Sequence, residues 1–371
     1  MTSPGSFFDH FESLPDPRVE RRKLHNLQEV VFMSICAVIC GADDYVAIEH
    51  FARGKEDWLR QFLELKHGIP THDTFGRVFA ALDPVAFTDC FLNWVRSIVE
   101  LSEQEIVAID GKTLRRSHEA GGAPLHVVSA FASVNGLVLA QEKVDDHSNE
   151  ITAIPRILEL LALKGCIITI DAMGTQRAIA DQIVSQEADY VLALKANQGL
   201  FFEEVQQFFA SSKRREEAGC QEKETVDGGH GRIEIRHCVV AGFEEAALFE
   251  IQGWAGLKSI AMIECERHVG AKKSQEKRYY ISSLPADANL ILHAARTHWC
   301  IENQLHWVLD VAFSEDQARM RLEHAAENMA VVRKIALNAL KKEATIKIGV
   351  ANKRLRAGWD EKYLAKVLAS I

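Results

Sequence analysis

The chain is 371 residues long, 47% apolar and 26% charged, with a formal net charge of −9 at pH 7. That is the composition of an ordinary globular protein with room for two or three domains, which excludes a fibrous or disordered chain. The negative charge argues against a simple cationic protein that coats nucleic acid.

The average hides a polarity. Residues 331–371 hold ten Lys/Arg against three Asp/Glu, whereas 1–100 hold ten against fifteen. A basic tail on an acidic body is compatible with a nucleic-acid partner, and equally with a solvated helix surface. The eight cysteines include no CxxC pair; Cys36 and Cys40, one helical turn apart in an apolar run, read as buried thiols. A reducing, cytoplasmic setting is expected. No signal peptide is visible, and the most apolar window, VVFMSICAVICGA at 30–42, is too short to span a membrane.

Residues 1–100 read as entirely helical. Helices are expected over Leu27–Ile39, Asp44–Phe51 and Lys55–Leu65, then within GIPTHDTFGRVFAALDP at 68–84, where Thr71 or Asp73 can cap and Pro84 marks the end. Helix, Gly-containing turn, helix resembles a helix-turn-helix with Arg77 as a base or phosphate contact; a plain helical hairpin has the same pattern.

From residue 104 the texture changes to strands. Ile106–Asp110, Leu125–Val134 and Leu137–Val144 are expected strands, with Asn135-Gly136 signalling a two-residue hairpin. A helix capped by Ser148 or Asn149 runs to Leu163, followed by strand CIITID at 166–171, a helix over Gln176–Gln186 and strand DYVLALK at 189–195. That order is the one of a ribonuclease-H-like α/β core. Residues 201–285 begin as a polar helix and turn into short strands (Glu234–Val240, Ser259–Glu266, Arg278–Ser282), a β insertion. Helices return at Ala288 and continue almost to the end.

The chemistry starts at VAIDGKTLRR. Asp110 appears where an apolar run stops, Gly111 lets the backbone turn, and Lys112, Arg115 and Arg116 follow at once. An acid at a strand end beside basic residues suits a metal site that handles phosphates; an acid opening a turn has the same local sequence. Asp171 repeats the arrangement after IITI. In an α/β sheet, functional groups gather at the carboxyl edge, and in a ribonuclease-H-like order the first and fourth strands are neighbours. Two carboxylates that close repel unless a divalent cation neutralises them or one is protonated.

A third acid lies in THWCIENQLHWVLDVAFSED at 297–316. Ile301, Leu305, Val308 and Ala312 set a buried side, and His298, Glu302 and His306 form a stripe beside it. Glu302 could complete a two-metal site; a surface ion pair and a His-Glu-His transition-metal site are the competing readings. Asp145 and Asp146 are rival acids with a loop-and-cap reading. Asp310, Glu315 and Asp316 are expected to pair with Arg319 and Arg321, and Trp299 and Trp307 to pack in the core or along a channel.

Several separate motifs resemble, in order and from end to end, the DDE-type transposases of bacterial insertion sequences, specifically the H-repeat-associated (ISAs) group. They are DPR and RKLH at 16–25, GIPTHDTFGRVFAALDP, AIDGKTLRRS at 108–117 and SNEITAIP at 148–155, then TIDAMGTQ at 169–176 and LALKANQ at 192–198. HGRIEIR at 230–236 and HWCIENQLHWVLDVAFSEDQAR at 298–319 complete the set. The resemblance implies a catalytic triad of Asp110, Asp171 and Glu302 that binds two Mg²⁺ or Mn²⁺ ions. It further implies cleavage of double-stranded DNA at the element's terminal repeats and in-line attack of the freed 3′-hydroxyl on target DNA, without a covalent protein intermediate. Lys112, Arg115, Arg116, Lys195, Asn197, Arg232 and Arg77 are the candidate DNA contacts, and Gly231 and His230 lie near them in the insertion.

The implied organisation is a helical DNA-end-binding domain at 1–100, the catalytic domain with its insertion at 101–330, a basic helical tail at 331–371, and a homodimer on DNA. Related transposase groups carry Tyr and Arg upstream of the glutamate and Lys downstream; here Ala295, His298 and Leu309 occupy those positions, so His298 and His306 are expected to share the phosphate handling. A domesticated or inactive DNA-binding relative and a ribonuclease-H-like nuclease without strand transfer are the alternatives. A two-carboxylate glycosidase lacks a sugar-binding aromatic cleft beside the pair.

Overall fold

The computed structural model describes residues 5–118, 123–145, 148–229, 231–248, 251, 253–270 and 272–369. The first layer is helical: α1 (Gly5–Phe11), α2 (Leu27–Ile39), α3 (Tyr45–Gly54), α4 (Glu56–Leu59), α5 (His72–Ala81) and α6 (Pro84–Ile98). Asn26 starts α2 by accepting hydrogen bonds from the Gln28 and Glu29 amides, and eleven of its thirteen residues are buried. A helix apolar all round belongs inside the core, and that is where α2 lies.

Two expectations change here. The helix expected over 55–65 closes after Leu59, and Leu65 sits in the left-handed region at φ 46°, so the first member of the helix-turn-helix pair is only four residues long. Pro84 begins a helix: it is the first residue of α6, where its missing amide costs nothing, and Asp83 caps it.

The second layer is one nine-stranded sheet of β1 (Ile106–Thr113), β2 (His126–Ala132), β3 (Leu137–Lys143), β4 (Ile167–Ile170), β5 (Asp189–Leu194), β6 (Gln221–Gly229), β7 (Arg232–Gly242), β8 (Ser259–Val269) and β9 (Lys272–Ser282). Its order is β3-β2-β1-β4-β5-β9-β8-β7-β6, with β1, β4 and β5 parallel and the other neighbours antiparallel. The expected insertion is therefore an extension of the same sheet, joined where β9 pairs with β5. Asn135-Gly136 does not form a two-residue hairpin. Ala132 pairs with Leu137 across a four-residue loop, and the Asn135 amide donates to Glu105 at 3.0 Å.

The remaining helices are α7 (Glu150–Leu160), α8 (Arg177–Ser185), α9 (Gly199–Ala210), α10 (Ser212–Glu217), α11 (Ala288–His298), α12 (Trp307–Ala312), α13 (Ala325–Lys342), α14 (Val350–Trp359) and α15 (Glu361–Leu368). Helix α13 joins the two layers. Fourteen of its eighteen residues are buried; Asn328 donates to the Phe79 and Leu82 carbonyls at the end of α5, and Asn338 hydrogen-bonds both the amide and the carbonyl of Val138 on edge strand β3. An amide on an edge strand satisfies groups that would otherwise template another chain.

The expected boundary at residue 330 falls inside this one helix, and a single apolar cluster runs from Phe11 to Leu368 through both layers. The basic tail is in good part internal: Arg333, Lys334, Lys353 and Arg354 are all buried, the last donating to the Val38 carbonyl and pairing with Asp43 at 2.9 Å. Among the described residues no single helix is long and apolar enough to cross a membrane.

A candidate metal centre at the end of the central strands

The pairing of β1 with β4 ends at Ile109 opposite Ile170. Asp110 and Asp171 occupy the next position on two adjacent parallel strands, which puts their Cα atoms ~4.8 Å apart with both side chains on one face. Asp110 is expected at a strand end from the glycine after it, and the structure places it within the strand instead. Strand β1 continues to Thr113 against β2, with Asp110 opposite Ser129. A Cβ at Gly111 would meet the side-chain ends of Glu150 and His126, which lie 2.9 Å from each other, so these two would have to shift to admit one.

The loop after Asp171 is pinned from several sides. Asp171 Oδ1 accepts the Met173 amide at 2.9 Å, Thr175 Oγ1 donates to the Ala193 carbonyl at 2.6 Å, and Gln198 Nε2 donates to the Thr175 carbonyl at 2.6 Å. Asn197, expected on DNA, turns its amide inward and donates to the Ala172 carbonyl at 2.7 Å. A Cβ on Gly174 would lie 2.4 Å from Ile170 and 2.6 Å from Ile154, so the loop closes onto α7 only with glycine there.

Helix α11 covers the face that carries both aspartates, and His298 at its end meets Thr169 Oγ1 at 3.0 Å. The chain then widens into a π-helical turn over Glu302–His306 before α12. Its signature is in the burial: Ile301, Leu305, Leu309 and Phe313 are buried at a spacing of four, while the expected Val308 and Ala312 are only half-buried. Short π segments occur mostly where side chains must be re-aimed at a functional site. Here the turn points Glu302 and His306 at Asp110, with His306 Nδ1 3.4 Å from Glu302 Oε2 and 3.8 Å from Asp110 Oδ2.

The electrostatics suit a bound cation. Burial, together with the negative charges of Glu302, Glu150 and Asp171, pushes the Asp110 carboxyl up to about 8. The neighbouring His306 imidazole holds Glu302 below the usual carboxylate range, so of this pair Asp110 keeps the proton. Burial drives the His298 imidazole down to about 4 against the pull of Asp171 and Glu302, leaving it neutral at physiological pH. Asp110, Glu302 and His306 each offer a ligand atom within 4.8 Å of the others.

The basic residues divide. Lys112 points into the protein, donating to Asp310 and, at 2.9 Å, to Glu315, a fully buried carboxylate that also faces Arg333 at 3.8 Å. Burial opposes the charge on Lys112, but Glu315 and Asp310 more than offset it. Asp310 and Glu315 thus pair with Lys112, not with Arg319 or Arg321 as expected, and Asp316 meets Arg115 at 3.3 Å. Arg115 and Arg116 are exposed, Arg321 donating to the Arg116 carbonyl at 2.9 Å. Lys195 is exposed, and Arg232 pairs with Glu234 at 3.0 Å. Arg77 is exposed in a groove of about 1160 Å³ that Arg319 and Arg321 also line.

Sequence reasoning missed a second feature beside Glu302, a cavity of about 410 Å³ lined by Arg232, Arg236, Arg267, Arg278 and Arg296. These arginines come from β7, β8, β9 and α11, so only the folded sheet collects them. Trp299 and Trp307 are 45% and 62% exposed, which removes them from the core; Arg278 lies 4.5 Å over the Trp299 ring. Asp145 pairs with Arg156 at 3.0 Å, the loop role expected of it, while Asp146 and His230 lie outside the described residues.

Comparison with known proteins shows the family. Residues 101–339 match the family model described as Transposase DDE domain, and residues 8–95 match the model described as DDE_Tnp_1-associated. YncI of Escherichia coli O157:H7, named as a transposase, is 42% identical over 98% of this chain and 95% of its own length. YhhI of Escherichia coli K12, named as an H repeat-associated transposase, is 38% identical over 97% of both chains. A shorter K12 relative named as the inactive transposase YbfQ is 39% identical over 19% of this chain and 83% of its own length. The chain belongs to the DDE transposase family, with the H-repeat-associated transposases as its relatives.

Proposed function

We propose that this protein is an insertion-sequence transposase that cuts DNA at the element's ends and joins the freed 3′-hydroxyl to target DNA. The observation that carries the reading is the register of β1 and β4, which sets Asp110 beside Asp171, with Glu302 brought to Asp110 by the π turn. The strand order 3-2-1-4-5 of the first five strands supports a ribonuclease-H-like core.

The donors fit a divalent metal centre: Asp110 and Glu302 converge with His306, Asp171 follows the adjacent strand, and Asp110 otherwise keeps its proton up to about pH 8. Asp110, Asp171 and Glu302 would hold two Mg²⁺ or Mn²⁺ ions, which supply Lewis acidity to the phosphodiester oxygens when bound. Asp110, next to Asp171 in register and grouped with Glu302, would serve both positions. His298, neutral and held by Thr169, orients without adding charge. The arginine-lined cavity beside Glu302 and the exposed Arg115, Arg116, Lys195 and Arg232 bind the phosphate backbone. Lys112 and Asn197 support the site from within. Bringing two element ends together requires a homodimer on DNA, in the cytoplasm where the DNA lies. The helical layer with Arg77 contributes to recognition of the ends.

The test is incubation of the full chain with Mg²⁺ and DNA carrying the element's terminal repeats. Strand transfer supports the transposase, cleavage alone would mean a nuclease, and binding without either would mean an inert relative.

A further inference from the structure

We propose that His306 is itself a ligand of the ion held by Asp110 and Glu302, so that the two ion positions of this centre are chemically unequal. The inference rests on the triad reading above and goes beyond it, since that triad is made of carboxylates alone.

The geometry is the first support. His306 Nδ1 is 3.4 Å from Glu302 Oε2 and 3.8 Å from Asp110 Oδ2. Ligand atoms bonded at about 2.1 Å to one octahedral ion are roughly 3 Å apart when adjacent and about 4.2 Å when opposite. The two separations fall between these limits, so one ion reaches all three groups after small side-chain rotations. At 3.4 Å the contact to Glu302 is long for a hydrogen bond.

The second support is an unexplained polar group. His306 is 5% exposed, and its Nε2 is buried without a hydrogen-bond partner. A buried polar atom left unpaired costs about 1–3 kcal/mol. A leucine would fill such a place at no such cost, so the imidazole is there for its other nitrogen, Nδ1, which faces both carboxylates. The third support is the π turn, because it spans Glu302 to His306 and carries both to the same side of Asp110.

The consequence is a difference in metal preference. The position shared by Asp110 and Asp171 has oxygen donors only and suits Mg²⁺. The position shared by Asp110, Glu302 and His306 includes an imidazole, which favours Mn²⁺ and later transition metals over Mg²⁺.

Pulsed electron paramagnetic resonance of Mn²⁺ bound to the full chain, made with ¹⁵N-histidine, tests this without any turnover. The expected result is a directly coordinated nitrogen that disappears in His306→Asn, with the ratio of Mn²⁺ to Mg²⁺ affinity falling about tenfold in that variant. An Asn places an amide oxygen near the lost Nδ1, so retained ion binding there reports the changed donor rather than a collapsed site. Mn²⁺ bound in an Asp110-dependent way with no nitrogen coupling in the unsubstituted protein would overturn the role of His306 and leave the triad standing. Mn²⁺ binding unaffected by Asp110→Asn would overturn both.

Discussion

Replacing Asp110 with asparagine should make the metal-free protein more stable, and increasingly so as pH rises. The Asp110 carboxyl titrates at about 8 in the fold, against 3.8 for an unburied carboxyl. Between those values the folded state binds one proton more than the unfolded state, so this group makes stability fall as pH rises, and the loss is complete above pH 8. At about 1.4 kcal/mol per pH unit, the penalty grows by roughly 4 kcal/mol between pH 5 and pH 9. Asparagine has nearly the shape of the protonated acid and does not titrate, so Asp110→Asn escapes this dependence.

The assay is urea denaturation of both proteins in chelator at pH 5, 7 and 9. The variant's advantage should widen with each step, and saturating Mg²⁺ should reverse it by stabilising only the unsubstituted chain. A difference that does not vary with pH would refute the account of a carboxyl held protonated by burial and by Glu302, Glu150 and Asp171.

Lys112→Met should cost about 3–5 kcal/mol, because it leaves the buried Glu315 carboxylate without its nearest cation; an unchanged denaturation midpoint would contradict the inward role of Lys112. Arg115→Ala and Arg116→Ala should each change stability by less than about 0.5 kcal/mol yet lower the slope of log binding constant against log salt by about one, measured by fluorescence anisotropy with duplex DNA. Asn197→Ala loosens the loop that follows Asp171, so cleavage should drop at least tenfold with DNA affinity nearly unchanged; the opposite order would return Asn197 to the DNA surface.

The parts of this molecule legible in its sequence are those governed by local pattern. Apolar runs gave the strands around Asp110 and Asp171, and the ribonuclease-H-like strand order put the two acids side by side. Helix α2 matches its expected bounds because Asn26 and an unbroken apolar run encode it locally. Glycine was ambiguous: Gly111 looks like a turn residue, but it lies mid-strand, with the end of the Glu150 side chain, 39 positions away, where a Cβ would point. Lys112 looked solvent-facing for a similar reason, since its partners Asp310 and Glu315 are 198 and 203 residues further on. The tail's cations were likewise counted without knowing that Arg333, Lys334, Lys353 and Arg354 end inside the protein. One missed signal was present all along. The buried positions Ile301, Leu305, Leu309 and Phe313 keep a strict spacing of four, where the expected pattern shortened to three at Val308, and the π turn that aims Glu302 and His306 lies within that stretch. Joining the expected insertion to the main sheet was beyond sequence, because it depends on which strand edge is free after β5.

The central claim is that Asp110, Asp171 and Glu302 act as one metal centre on DNA. Its most direct test measures Mg²⁺-dependent cleavage and DNA affinity side by side for Asp110→Asn, Asp171→Asn and Glu302→Gln, on DNA carrying the element's terminal repeats. The account predicts that all three variants lose cleavage while binding DNA within a few-fold of the unsubstituted protein. Cleavage retained by any one of them would contradict that residue's place in the centre.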